Sequence, residues 1–173
     1  FNRAVTLGSK EAVWWRDETR RFRKGPARCP NGWGRGSNVK PQAPSEIRAL
    51  IEKLAPEYGL DPQLVLAVVA VESSFLTHAV SSARAQGLMQ LIPATAARFG
   101  VRDVFNPEDN LRGGMSYLKW LLQHFKGSVT LALAGYNAGE GAVKRFGGIP
   151  PYKETRNYVS KIRLLYDKRE HPY

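Results

Sequence analysis

From Pro44 onward, apolar positions recur with helical period. Ile47, Leu50, Ile51 and Leu54 follow i, i+3, i+4, i+7 spacing, which puts them on one helix face. Ser45 stands where a cap belongs, and Gly59 where such a helix ends. Asp61-Pro62 then opens a second helix, with Asp as the cap and Pro in the first turn, where its missing N–H costs nothing. The body of that element, residues 64–71, is apolar on every side. β-Branching alone would allow a buried strand. The Asp-Pro start and the amphipathic neighbours favour a central helix buried all round. Eight residues are far too few to span a membrane, which takes about 20.

Further along, Pro93 opens a short helix over residues 94–99. Asp109 or Asn110 starts another, carrying Leu111, Met115, Leu118, Leu121, Leu122 and Phe125, and Gly127-Ser128 breaks it. Residues 129–134 read as one more buried helix, and Tyr158, Ile162, Leu165 and Tyr166 mark the last. No strand pair or hairpin is signalled. The pattern predicts a mainly α domain over residues 46–173, built around the apolar segment 64–71.

Residues 1–45 break this regularity. They hold Arg20-Arg21-Phe22-Arg23-Lys24, Gly25-Pro26, and the Gly-rich run Asn31-Gly32-Trp33-Gly34-Arg35-Gly36, and they close on Pro41 and Pro44. This composition predicts a basic, irregular arm or linker. Trp14, Trp15 and Trp33 are unusual for a free linker and suit packing on the main domain or on a partner. Residues 1–40 hold ten Lys and Arg against three Asp and Glu, a net of +7, while the other 133 residues carry a net of +4. An anionic wall polymer, membrane surface or nucleic acid would therefore feel the arm first. The start of the chain does not read as a signal peptide, and Phe1 is not an initiator.

Several chemistries lose their basis. Cys29 is the only cysteine, so neither an intrachain disulfide nor a thiolate zinc site can form. His78, His124 and His171 show no helical ligand spacing, and no H-E-x-x-H, Walker A, G-x-S-x-G or G-x-G-x-x-G pattern occurs. What stands out is Glu72, directly after eight apolar residues. Its carboxyl is expected to be partly desolvated and to lie at the negative end of its helix. Both effects disfavour the charged form, which suits a general acid. Taken alone, such a Glu reads more simply as the exit of a helix into solvent.

The downstream motifs change that balance. Glu72-Ser73 is followed by Gly87-Leu88-Met89-Gln90, Asn106-Pro107-Glu108-Asp109-Asn110, Tyr136-Asn137-Ala138-Gly139 and Glu154-Thr155-Arg156-Asn157-Tyr158-Val159. In this order, over residues 46–167, the chain resembles the soluble lytic transglycosylase catalytic domain family of the lysozyme-like superfamily. The resemblance implies a goose-type lysozyme-like helical fold without metal or cofactor. It implies Glu72 as catalytic acid and then base, followed by Ser73. It implies Ser81 as a hydroxyl near the carboxyl, and Gln90, Ile92 and Thr95 as a sugar-binding wall. Tyr136 and Asn137 become cleft residues, and Glu154 and Tyr158, four apart on one helix face, the opposite wall. Simpler readings stand beside these. Ser81 caps a turn, Gln90 closes a loop through backbone contacts, Tyr136 and Tyr158 are core aromatics, and Glu154 pairs with Arg156 or Lys153.

The implied reaction cuts the β-1,4 bond between N-acetylmuramic acid and N-acetylglucosamine in peptidoglycan. The muramic O6 hydroxyl attacks in place of water and leaves a 1,6-anhydro ring. Glycoside hydrolases commonly use two carboxyls, and this chain offers no obvious second, since Asp103, Glu108 and Asp109 suit structural caps. A hydrolytic muramidase, a non-catalytic wall-binding module, and nucleic-acid or membrane binding by the basic arm are the rival readings, with nucleic acid disfavoured as the main partner. The substrate would place the protein in the periplasm or outside the cell. One departure from the family pattern concerns the loop before Gly87. There Ser82 replaces the usual Pro and Arg84 the usual Gly, so Arg84 must strain or re-route the loop if that position needs positive φ.

Overall fold

A computed structural model describes residues 42–172, so all but the last four residues of the expected arm lie outside the described residues. The described residues form seven α-helices and one 3-10 turn, with no strand beyond isolated bridges. The mainly α expectation holds.

Helix α1 (Ser45–Leu54) buries Ile47, Ile51 and Leu54. Its N-cap is Pro44, one residue earlier than expected, and no side chain caps it. It runs into a 3-10 turn (Ala55–Tyr58), because Pro56 has no N–H to continue an α-helical ladder. Gly59 closes the segment at φ 66°. Helix α2 (Pro62–Ser73) is the predicted central helix, with residues 64–70 all buried. Each fully buried Leu or Val there contributes about 1.5–3 kcal/mol through removal from water. Its neighbours are α1, the 3-10 turn and the last helix.

Helix α3 (Pro93–Arg98) is the short helix expected after Pro93. Helix α4 (Pro107–His124) begins earlier than the apolar pattern suggests, because Asn106 caps it by accepting the Asp109 N–H at 3.1 Å. Helix α5 (Val129–Ala138) starts at the Ser128 cap and runs four residues beyond the expected end. Helix α6 (Glu140–Phe146) is not signalled by the sequence pattern; only Val143 of its seven residues is buried, so no apolar stripe marks it. Helix α7 (Lys153–Leu165) buries Thr155, Tyr158, Val159 and Ile162. Helix α5 packs on α4, α6 and α7.

The tail after α7 fastens the start of α2. Asp61 Oδ1 accepts the Gln63 N–H at 2.9 Å, and Oδ2 accepts from Lys168 Nζ at 2.8 Å and the Tyr166 hydroxyl at 3.2 Å. Buried His171 accepts the Asp61 N–H on Nε2 at 2.8 Å. The same tail binds the start of α5: Arg169 O accepts from Val129 N–H at 3.0 Å, and His171 N–H donates to Gly127 O at 2.9 Å. The tail thus supplies partners for two helix N-termini, whose first N–H groups have none within their own helices.

Burial pushes the Asp61 carboxyl up, but the bonds from Lys168, the Gln63 N–H and Tyr166 outweigh it and hold it below its ordinary 3.8. A carboxyl lowered in the folded state stabilises fully above its unfolded pKa, and that contribution fades as pH falls through the folded value. Asp61→Asn is therefore expected to cost about 1 kcal/mol at pH 7. Urea unfolding at pH 7 and pH 3 should show the gap between the two proteins narrowing at pH 3. An equal gap at both would mean that the Asp61 charge contributes nothing.

Candidate active site

Glu72 is the second-last residue of α2, half-buried where the apolar helix reaches the surface. The chain leaves α2 sharply, with Ser74 at φ 52° and Phe75 at φ 66°. Two successive side chains in the left-handed region cost of order 1–3 kcal/mol each, strain of a kind that collects at functional sites. Ser73 faces inward and is 6% exposed. Its hydroxyl contacts Val69 O at 3.3 Å and Leu88 O at 2.8 Å, which ties the end of α2 to the loop carrying Gln90.

Tyr158 of α7 donates its hydroxyl to Glu72 Oε1 at 2.6 Å. Burial pushes the Tyr158 phenol well up, and the Glu72 charge adds to that, so the phenol keeps its proton and acts as the donor. Burial at the end of α2 works against the charged carboxylate, whereas the bond from Tyr158 works for it. Tyr136 of α5 is likewise pushed up by burial and then by the charge of Glu72. Its hydroxyl donates to Met89 O at 2.9 Å. Beside it, Asn137 Oδ1 accepts the Thr155 hydroxyl at 2.8 Å, which joins α5 to α7 one turn before Tyr158. Glu154 precedes Thr155 on α7, half-buried.

The loop over residues 79–91 lies next to this group, tied to it by Ser73 at Leu88 O and by Tyr136 at Met89 O. Bridges Val80–Gln86 and Gln86–Leu91 fold it into an S, a strand-like feature that the sequence reading does not contain. Ser81 Oγ accepts the Ala85 N–H at 2.8 Å, so its oxygen serves the turn as the simpler reading has it. Arg84 adopts φ 61° in that turn, so the loop accepts strain at this residue instead of re-routing. Gln90 Nε2 donates to Gly87 O at 2.8 Å and Ala79 O at 3.2 Å, which closes the loop and uses both amide hydrogens. Ile92 is the N-cap residue of α3, and both it and Thr95 are half-buried.

Gly87 and Asn110 stand in the sequence motifs, but their roles in this loop are read only from the structure. Gly87 sits at φ 78°, and a Cβ there would lie 2.2 Å from Val104 O and from the Asn110 amide nitrogen. Asn110 itself is 1% exposed and makes three bonds. It accepts from Met89 N–H at 2.8 Å and donates to Gln86 O at 3.0 Å and Val104 O at 2.9 Å. A polar residue inside the apolar spacing of α4 is the signal that could have revealed it. Of the doubtful carboxyls, Asp103 accepts the Phe105 N–H, Asp109 the Asp103 N–H, and Glu108 pairs with Arg112. These contacts are structural, as expected.

Asn110→Asp keeps the shape but turns two donors into a carboxylate facing two carbonyls. It is expected to cost about 2–4 kcal/mol, the scale of several unmet buried groups. Thermal unfolding gives the size, and amide hydrogen exchange should locate the loss at residues 86–91. Unchanged stability would show that the loop holds without Asn110.

The family model described as the transglycosylase SLT domain matches residues 49–159. The membrane-bound lytic murein transglycosylase C of Haemophilus influenzae is 37% identical over 148 residues, an alignment covering 72% of this chain and 40% of that protein. The protein of the same name from Actinobacillus pleuropneumoniae is 36% identical, with 73% of this chain and 47% of that one covered. The chain thus spans less than half the length of these relatives. Among solved structures, an inactive variant of lytic transglycosylase Slt from Pseudomonas aeruginosa superposes with a TM-score of 0.63 at 31% identity, over 68% of this chain and 23% of that one. The 70 kDa soluble lytic transglycosylase of Escherichia coli gives 0.62 at 28% identity, over 69% of this chain and 23% of that one. The helical fold is accordingly lysozyme-like, and the chain belongs to the transglycosylase SLT domain family.

Proposed function

We propose that this domain is a peptidoglycan lytic transglycosylase with Glu72 as general acid and then base. The observation that carries this reading is Glu72 itself, emerging half-buried from an apolar helix with the Tyr158 hydroxyl 2.6 Å from one oxygen. A carboxyl held in this way has a fixed orientation, which general acid catalysis requires.

Protonated Glu72 gives its proton to the oxygen bridging N-acetylmuramic acid and N-acetylglucosamine, and that bond breaks. The N-acetyl group assists at the anomeric carbon. The Glu72 carboxylate then removes the proton from the muramic O6 hydroxyl as that oxygen closes on the anomeric carbon. The proton lost in the first step is regained in the second, no water is consumed, and a 1,6-anhydro ring results. Ile92 and Thr95 on one side, and Tyr136, Asn137 and Glu154 on the other, hold the sugars. Buried Tyr158 acts through Glu72, and Gln90, whose amide hydrogens close the loop, shapes the cleft wall. Ser73 and Ser81 act on the site through the loop they fasten. The glycan strand is the main partner, and the basic arm adds attraction to anionic wall or membrane. The substrate places the activity in the periplasm or outside the cell.

Mass analysis of the products from purified peptidoglycan tests the reaction. Muropeptides one water lighter than hydrolytic products are expected, and ordinary reducing ends would make the domain a muramidase. Glu72→Gln is expected to fold normally and lose at least about 100-fold in rate, the usual scale for a lost general acid. Full activity in that variant would remove Glu72 from the mechanism.

A further inference from the structure

Positive charge in the described residues gathers toward one end of the chain. Residues 144–170 hold eight Lys and Arg against three Asp and Glu, whereas residues 42–143 hold eight against nine. Helix α7 lies within this basic stretch. Its buried residues, Thr155, Tyr158, Val159 and Ile162, form one stripe toward the domain. Lys153, Arg156, Asn157, Ser160, Lys161 and Leu164 recur at i, i+3, i+4, i+7, i+8 and i+11, and all six are exposed. At 3.6 residues per turn this second stripe lies on the opposite side of the helix. The one carboxylate of α7, Glu154, is half-buried and stands outside the exposed stripe. Among the described residues, Lys153 and Arg156 form no ion pair.

Leu164 is 81% exposed on this basic stripe. A lone exposed Leu is ordinary on a protein surface. One that shares a helix face with three cations and no anion has the pattern of a helix at a lipid interface. There the cations meet anionic headgroups and the apolar side chain enters the acyl boundary. The long stems of Lys and Arg let their charged ends stay at the headgroups while Leu164 sits deeper. A dissolved polyanion would match the charge and leave Leu164 unused, whereas a lipid surface uses both. Helix α7 has 13 residues and one face buried in the domain, so it can rest on a bilayer but not cross it, which takes about 20.

We propose that the outer face of α7 docks the domain on a bilayer surface rich in anionic phospholipid, with Lys153, Arg156 and Lys161 at the headgroups and Leu164 below them. This surface is separate from the basic arm and takes no part in the proposed catalysis. It also sets an orientation. Tyr158, on the inner face of the same helix, bonds to Glu72. Docking by the outer face therefore leaves the Glu72 carboxyl on the side of α7 turned away from the lipid.

Co-sedimentation of the full chain with vesicles tests it, without any need for turnover. One set of vesicles is phosphatidylglycerol and phosphatidylcholine in equal parts, the other phosphatidylcholine alone. The unaltered protein is expected to bind the mixed vesicles and to leave the neutral ones. Lys153→Gln with Arg156→Gln should weaken that binding at least about 10-fold, since each cation near an anionic surface is worth about 5-fold. Leu164→Ser should weaken it about 5-fold, the scale of a partly inserted apolar side chain. Both variants change only exposed side chains, so the melting temperature should stay as it is. No binding to the mixed vesicles overturns the proposal. Full binding by the Lys153/Arg156 variant also overturns it, and assigns the attraction to the arm. Unchanged binding by Leu164→Ser, beside a loss in the charge variant, makes the face a general polyanion site and rejects the bilayer. Sedimentation equilibrium adds a last outcome: a self-associated protein that Leu164→Ser renders monomeric, with vesicle affinity unaltered, would make a second copy the occupant and contradict the proposal.

Discussion

The hydrogen bond from Tyr158 to Glu72 is the contact on which the rest of the structure bears. It joins α7 to the end of α2, and it forms only if both helices are held in register. Helix α2 has no polar face along residues 64–70, so its stable place is in the middle of the domain. Its last turn must then emerge at a fixed point, and Glu72 emerges with it. Helix α7 supplies the partner from its buried stripe, and the tail that follows α7 returns to fasten Asp61 at the other end of α2. One helix and its tail thus hold both ends of α2. The position of the carboxyl is a consequence of packing more than of any local motif.

The adjoining loop obeys a different logic. The loop over residues 79–91 buries Leu88, Met89 and Leu91 almost completely, and hydrogen bonds shape the irregular backbone between those anchors. Ser73, Ser81, Gln90, Tyr136 and Asn110 each spend polar atoms on its backbone. Positive φ at Arg84, Gly87 and Gln90 gives the tight path. Strained backbone of this kind persists only where its surroundings over-determine it. The network of five side chains is that over-determination, and it explains why several residues expected to touch sugar first serve the loop.

The sequence made the apolar helices legible because their spacing reports directly on burial. The central helix, its Asp-Pro start and the exit at Glu72 all follow from the run 64–71. Helix α6 stayed hidden, since a surface helix with one buried residue leaves no stripe. The start of α4 was misplaced because its cap is Asn106, three residues before the Asp109 that it binds. The S-shaped loop was illegible because its bridges join single residues and create no alternating pattern. At the site, resemblance brought Glu72, Gln90, Tyr136 and Tyr158 into view together. Asn110 stands out locally as a polar residue in the apolar spacing of α4, but its partners in the loop, like the partner of His171 at the start of α2, lie 21 and 110 residues away and are not legible from spacing.

If the Tyr158–Glu72 bond sets the working state of the carboxyl, removing the hydroxyl must move the titration that governs the rate. The pH dependence of kcat/KM for Tyr158→Phe against the unaltered protein, on purified peptidoglycan, is the most direct test. Loss of a donor that favours the carboxylate is expected to shift the limb belonging to Glu72 toward higher pH, with folding retained. Superimposable profiles with equal rates would contradict the account and reduce Tyr158 to a packing residue.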